Sequence, residues 1–75
     1  MKTKYKIGSF VSISSDNENY SNYIGKKLKI CHVATNESEH KGFDSYIGQA
    51  LYDLIECESG KYLPFSLYEY ELKPF

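Results

Sequence analysis

With 75 residues the chain is one small domain, 1–75, able to hide only about 60 to 65% of its unfolded surface. Hydrophobic residues at 41% and aromatics at 16% exclude a disordered chain, which lacks the apolar surface to offset an ordering cost of about 1–2 kcal/mol per residue. The net charge of −1 conceals +4 over residues 1–33 and −5 over residues 34–75, and all nine basic residues are Lys, which argues against sequence-specific DNA recognition because no planar Arg fork is present.

The start, "MKTKYKIGSFVSI", is basic, but its apolar stretch is broken by Gly8, Ser9 and Ser12 and lacks a small-residue cleavage site. The expected location is therefore the cytoplasm, with Cys31 and Cys57 as reduced thiols. The glycosylation patterns at Asn19 and Asn36 then mark exposed loops only. No apolar run approaches the roughly 20 residues of a membrane span, so no membrane partner is expected.

"KIGSFVSISS" alternates Val11 and Ile13 with Ser12 and Ser14, a period-two strand signal. "SSDNENYSNYIG" is polar and reads as a loop. "KKLKICHVA" alternates again, with Lys27, Lys29 and Cys31 on one face and Leu28, Ile30 and His32 on the other, until Val33 blurs the phase. Residues 35–48 form a second, longer loop. "QALYDLIEC" is a strand with Ala50, Tyr52 and Leu54 on one face, and "ESGK" is a tight turn in which Gly60 takes positive φ, which makes residues 49–65 a hairpin. Pro64 cannot donate to a ladder, so the second arm stops near Phe65. "SLY" reads as a short 3-10 turn, and "EYEL" as a last strand with Glu69 and Glu71 on a solvent face and Tyr70 and Leu72 on the other.

Five short strands, two polar loops, one tight hairpin and a 3-10 turn before the last strand predict a mainly β, five-stranded, partly open small barrel. The order resembles the SH3-like barrel in its KOW-type variant. The resemblance rests on "IGSFVSI", "YIGKKLKI", and "YDL" through Gly60 to "YEYEL", about two thirds of the chain, and Lys26, Lys27 and Leu28 stand where the KOW pattern has its second glycine. "ALYDL" and "PFSLY" look like pieces of a signalling SH3 domain, but they stand in the wrong places and no Trp exists to line a groove for proline-rich ligands.

Cys31, His32, His40 and Cys57 are possible metal ligands, yet no C-x-x-C or paired-His spacing occurs, so neither a metal nor a cofactor is expected. Cys57 stands between Glu56 and Glu58, which disfavour a thiolate, and strand alternation puts Cys31 and His32 on opposite faces unless a bulge intervenes. No catalytic residue is assigned, and the chain reads as non-enzymatic. Eight Tyr are more than so small a core can hide with every hydroxyl partnered. The first expectation is a module that recognises another protein, as adaptor, complex subunit or inhibitor, through Tyr20, Tyr23, Phe43 and Tyr46 with Tyr68 as neighbour. The alternative is a weak nucleic-acid binder using Lys26, Lys27 and Lys29, with Tyr5, Tyr20 and Tyr23 near enough to stack bases. Two further points stay open: residues 35–48 read equally as a binding loop or as a lid over the barrel end, and an edge strand allows a monomer or a weak homodimer by strand addition.

Overall fold

In a computed structural model, which describes residues 2–15 and 17–75, five antiparallel strands form one sheet. They are β1 (Phe10–Ile13), β2 (Leu28–Ala34), β3 (Leu51–Glu56), β4 (Leu67–Tyr68) and β5 (Leu72–Pro74), in the order β4-β3-β2-β1-β5. The last strand returns to pair with the first, and β4 and β5 are left as edges, so the sheet is not closed into a barrel but is compatible with a small, partly open one. Helical structure among the described residues consists of 3-10 turns at Glu18–Tyr23, Ser45–Ile47 and Glu69–Glu71, and no helix there is long and apolar enough to cross a membrane.

The inner face of the sheet makes the core. Val11 and Ile13 of β1, Leu28 and Ile30 of β2, Tyr52 and Leu54 of β3, Leu67 of β4 and Leu72 of β5 are all buried there with Ala50. Each fully buried Val, Leu or Ile contributes about 1.5–3 kcal/mol relative to exposure. The alternation that predicts β1, β3 and the first half of β2 is thus the alternation between core and surface.

The second half of β2 departs from it. Ile30 stands opposite Leu54 and His32 opposite Asp53, so Cys31 is an extra residue, a β-bulge. The bulge moves His32 off the face of Leu28 and Ile30 and onto that of Lys29, while Val33, opposite Tyr52, packs against the core. The expected grouping of Leu28, Ile30 and His32 therefore holds for the first two only.

The turn after β3 forms as expected, with Gly60 at φ 72°. Its return arm is shorter than the expected strand. It meets β3 through the single bridge Ile55–Tyr62 and the Leu63 N–H bond to Leu54 O (2.9 Å), then breaks at Pro64 and pairs again only as β4. Strand therefore occupies Leu67–Tyr68, where a 3-10 turn is expected, and the 3-10 turn occupies Glu69–Glu71, where strand is expected. The cause is the two carboxylates. Glu71 is buried and accepts the Tyr68 N–H (3.0 Å), and Glu69 accepts the Tyr52 hydroxyl (2.8 Å) and the Lys4 N–H (2.9 Å). Glu71 thus turns inward and Tyr70 outward, reversing the faces that alternation assigns to "EYEL".

Candidate functional site

Beyond the bulge, the outer face of β2, β3 and β4 is covered by the loop 35–48. Ala34 stands opposite Leu51 and Leu51 opposite Tyr68, and Phe43 packs on these three as a small second core. The loop therefore acts as a cover through Phe43, on the sheet's outer face.

Polar bonds fix the path of that cover. At its start Glu39 Oε1 accepts from the Thr35 N–H and hydroxyl (2.8 Å each) and from Asn36 Nδ2 (3.1 Å), and the Thr35 bonds hold the Glu39 carboxyl below the usual range. In the middle His40 reaches Asp53 of β3 through Nε2 (3.2 Å), and Ser66 Oγ bonds both Asp53 and His40 Nε2, the latter at 2.9 Å. His32, brought round by the bulge, places Nδ1 3.2 Å from the other oxygen of Asp53, and Cys31 Sγ donates to the Asp53 carbonyl (3.2 Å). The two side chains that alternation separates thus meet at Asp53. Further on, the Tyr68 hydroxyl accepts the Asp44 N–H (2.8 Å) and donates to Gly42 O (3.2 Å).

Ser66, His40 and Asp53 bring together the three residue types of a hydrolytic triad, but in the wrong order. Nδ1 of His40 accepts the Gly42 N–H (2.8 Å), so the ring proton sits on Nε2, the nitrogen that faces Ser66. A general base needs that nitrogen free to take the serine proton. Burial pushes the Cys31 thiol above its ordinary range, with the Asp53 charge acting in the same direction, which leaves it a poor nucleophile. Among the described residues no group of three or more His, Cys, Asp and Glu is placed to hold a metal ion. The cluster's visible work is to pin a loop.

The pinned loop presents one side chain outward. Asp44 Oδ1 caps the Tyr46 N–H (2.9 Å), the Ile47 N–H bonds Asp44 O (3.2 Å), and Gly48, at φ 72°, ends the 3-10 turn. Tyr46 is 97% exposed on this turn, with Ile47 half exposed beside it. Next to them lies an open depression of about 420 Å3 lined by Thr35, Asn36, Glu37, Ser38, Phe43 and Ser45.

Of the aromatics expected at a recognition surface, Phe43, Tyr46 and Tyr68 come together around Asp44, and Tyr46 alone is freely exposed. Tyr20 and Tyr23 lie elsewhere, half-buried against Phe65 with ring centroids 4.5 and 5.5 Å away. Burial, with Glu71 bonded to its hydroxyl, pushes Tyr20 up to about 12. Of the lysines, Lys26 pairs with Glu58 (3.5 Å), Lys27 sits over the Phe10 ring, and Lys29 is exposed on β2. Alternation also carried an unused signal: Phe10 shares the phase of Ser12, opposite to Val11 and Ile13, which marks a bulky aromatic on the outer face. No family model matches the chain, and neither a curated protein nor a solved structure matches it.

Proposed function

We propose that this chain is a non-enzymatic, cytoplasmic binding module with the form of an SH3-like barrel, and that it recognises another protein through the loop 35–48. The strand order, a meander whose last strand returns to the first after a 3-10 turn, supports the SH3-like reading. Two free cysteines, one of them exposed, support a reducing compartment. Tyr46 carries the binding reading: a large amphipathic ring stands fully exposed on a turn whose backbone is already capped and whose flanks are anchored by Phe43 and Tyr68. Little conformational freedom remains to be lost when such a ring is covered, which is the property of a binding anchor. Phe43 and Tyr68 serve as its rigid base, and Tyr20 and Tyr23 brace the neighbouring end of the core.

The test is capture of cell proteins by the wild-type chain and by Tyr46→Ala. An anchor residue contributes about 2 kcal/mol or more at an interface, so the variant is expected to lose the wild-type partner by about thirtyfold while melting at the same temperature. Equal capture by both proteins removes the proposal.

A further inference from the structure

We infer that the uncovered half of the sheet's outer face is a binding platform for single-stranded nucleic acid, on a surface distinct from the Tyr46 loop. Directly opposed residues in an antiparallel sheet share a face, and here they form a row: Phe10 stands opposite Lys29, Lys29 opposite Ile55, and Ile55 is bridged to Tyr62. Phe75 extends the row, its N–H bonding Phe10 O (3.2 Å), and Lys73, opposite Ser12, lies one step along on the same face. Lys27 completes it, with Nζ 4.2 Å from the Phe10 centroid and 5.6 Å from that of Phe75.

The aromatic members are open to solvent: Phe10 is 48% exposed, Tyr62 72% and Phe75 63%. Phe10 stands on β1, whose other side forms the main core, and backbone pairing holds the other two rings beside the sheet, Tyr62 through its bridge to Ile55 and Phe75 through its bond to Phe10 O. The next outward residue of β3, Asp53, is already occupied by His32, His40 and Ser66 and does not oppose the lysine charge freely.

The composition of this face selects the ligand. Protein interfaces gather aromatics and Arg in their centres and are depleted of Lys. This face interleaves three rings with Lys27, Lys29 and Lys73, so that flat apolar surfaces and point cations alternate across a span of about 19 Å, four interstrand steps of about 4.8 Å. Single-stranded nucleic acid presents the same alternation of flat bases and anionic phosphates. With Nζ over the Phe10 ring and within 5.6 Å of the Phe75 centroid, Lys27 lies within reach of a phosphate joined to a base stacked on either ring. Lys26 is not part of the platform, since it pairs with Glu58.

The experiment is fluorescence anisotropy of a labelled oligothymidylate of about 12 nucleotides with the full chain. Three phosphate contacts predict a slope of log K against log salt near −2, a loss of about 15- to 20-fold between about 50 and 200 mM salt. Phe10→Ala with Phe75→Ala is expected to weaken binding about tenfold or more without changing that slope, because stacking is lost and charge is kept. Lys27→Gln, Lys29→Gln and Lys73→Gln together are expected to flatten the slope. Tyr46→Ala is expected to bind the oligonucleotide as the wild type does, which separates this site from the protein-binding one. Each variant is compared at a temperature well below its own melting transition, where it and the wild type are both folded, and Phe10→Leu serves as a milder second variant. Absence of binding at low salt overturns the inference, as does binding that the ring substitutions leave intact. Equal competition by inorganic polyphosphate or polyglutamate, which carry charge without bases, overturns it too.

Discussion

The outer face of the sheet is built twice over from the same strands, with opposite results on either side of the Cys31 bulge. On one side Ala34, Leu51 and Tyr68 lie under Phe43 and are sealed by the Asp53 cluster. On the other side Phe10, Lys29, Ile55 and Tyr62 stand in a row, and Phe10, Lys29 and Tyr62 are exposed. The connections at the two ends of the β2–β3 hairpin account for the difference. At one end the segment 35–48 folds back over the outer face through Phe43; at the other, residues 57–60 turn tightly after β3, and the equally long segment 14–27 before β2 packs Tyr20 and Tyr23 against Phe65 and the main core. Of the two long loops, then, one places its aromatic on the outer face and the other places its aromatics on the core, so Phe10 and Tyr62 remain exposed.

The sharpest way to break this contrast is Phe43→Ala, which empties the small core under the loop. Truncating a buried Phe costs about 3 kcal/mol or more. In a chain of this size that lowers the melting temperature by about 12 °C or more. Melting monitored by circular dichroism checks it, and a change of only a few degrees means the loop does not seal the face. Next in size is Asp53→Asn. The amide keeps one carbonyl oxygen where the carboxylate offers two, so donors from His32, His40 and Ser66 compete for it, at a cost of about 2 kcal/mol. Hydrogen exchange is expected to quicken at Gly42, Phe43 and Asp44 while the amides of β1 keep their protection.

A third substitution probes the polar ties beneath the sheet. The Tyr52 hydroxyl donates to Glu69 (2.8 Å) and accepts the Tyr5 N–H (3.2 Å), so Tyr52→Phe is expected to cost about 1 kcal/mol at neutral pH. Burial, helped by the Glu69 charge, pushes Tyr52 up to about 12, and Tyr20 stands at about 12 for its own reasons. In the unfolded chain both ionise near pH 10. The folded state holds these protons more tightly, so their contribution is complete below about pH 10 and is lost as the pH rises towards 12. Alkaline unfolding across that window is the expected result. Tyr52→Phe is expected to make it shallower, and an unchanged profile in the variant shows that Tyr52 does not drive it.

How far each part was legible in the sequence follows from where its determining neighbours lie. β1, β3 and the start of β2 were legible because one strand's own alternation sorts Val11, Ile13, Leu28, Ile30, Tyr52 and Leu54 into the core. The stretch "EYEL" alternates equally well and yet begins as a 3-10 turn, because partners at Lys4, Tyr52 and Tyr68 give its two carboxylates donors that period-two counting does not see. The bulge at Cys31 was hinted at only by Val33 falling out of phase. At the candidate site, Tyr20, Tyr23, Phe43 and Tyr46 carry one and the same signal, an aromatic in a polar loop. Phe65 covers the first two and the Ala34–Leu51–Tyr68 surface takes the third, so exposure of Tyr46 is decided by what is missing around it.

The smallest expected effect is also the one that gives the contrast its functional meaning. Phe10→Ala removes a ring of the same size as Phe43, from the same face of the same sheet, but a ring already half in water and leaving no cavity behind. Its cost is then the contact with Lys27, about 0.5 kcal/mol at an exposed site, a shift of only a few degrees in melting temperature. Measured beside Phe43→Ala, the two substitutions are expected to differ by about 2 kcal/mol or more, since only one of them opens a cavity. A ring that contributes so little to folding is free to serve the binding surface inferred above. If Phe10→Ala instead destabilises the chain as much as Phe43→Ala does, Phe10 belongs to the structure, and the uncovered half of the sheet loses its claim as a binding surface.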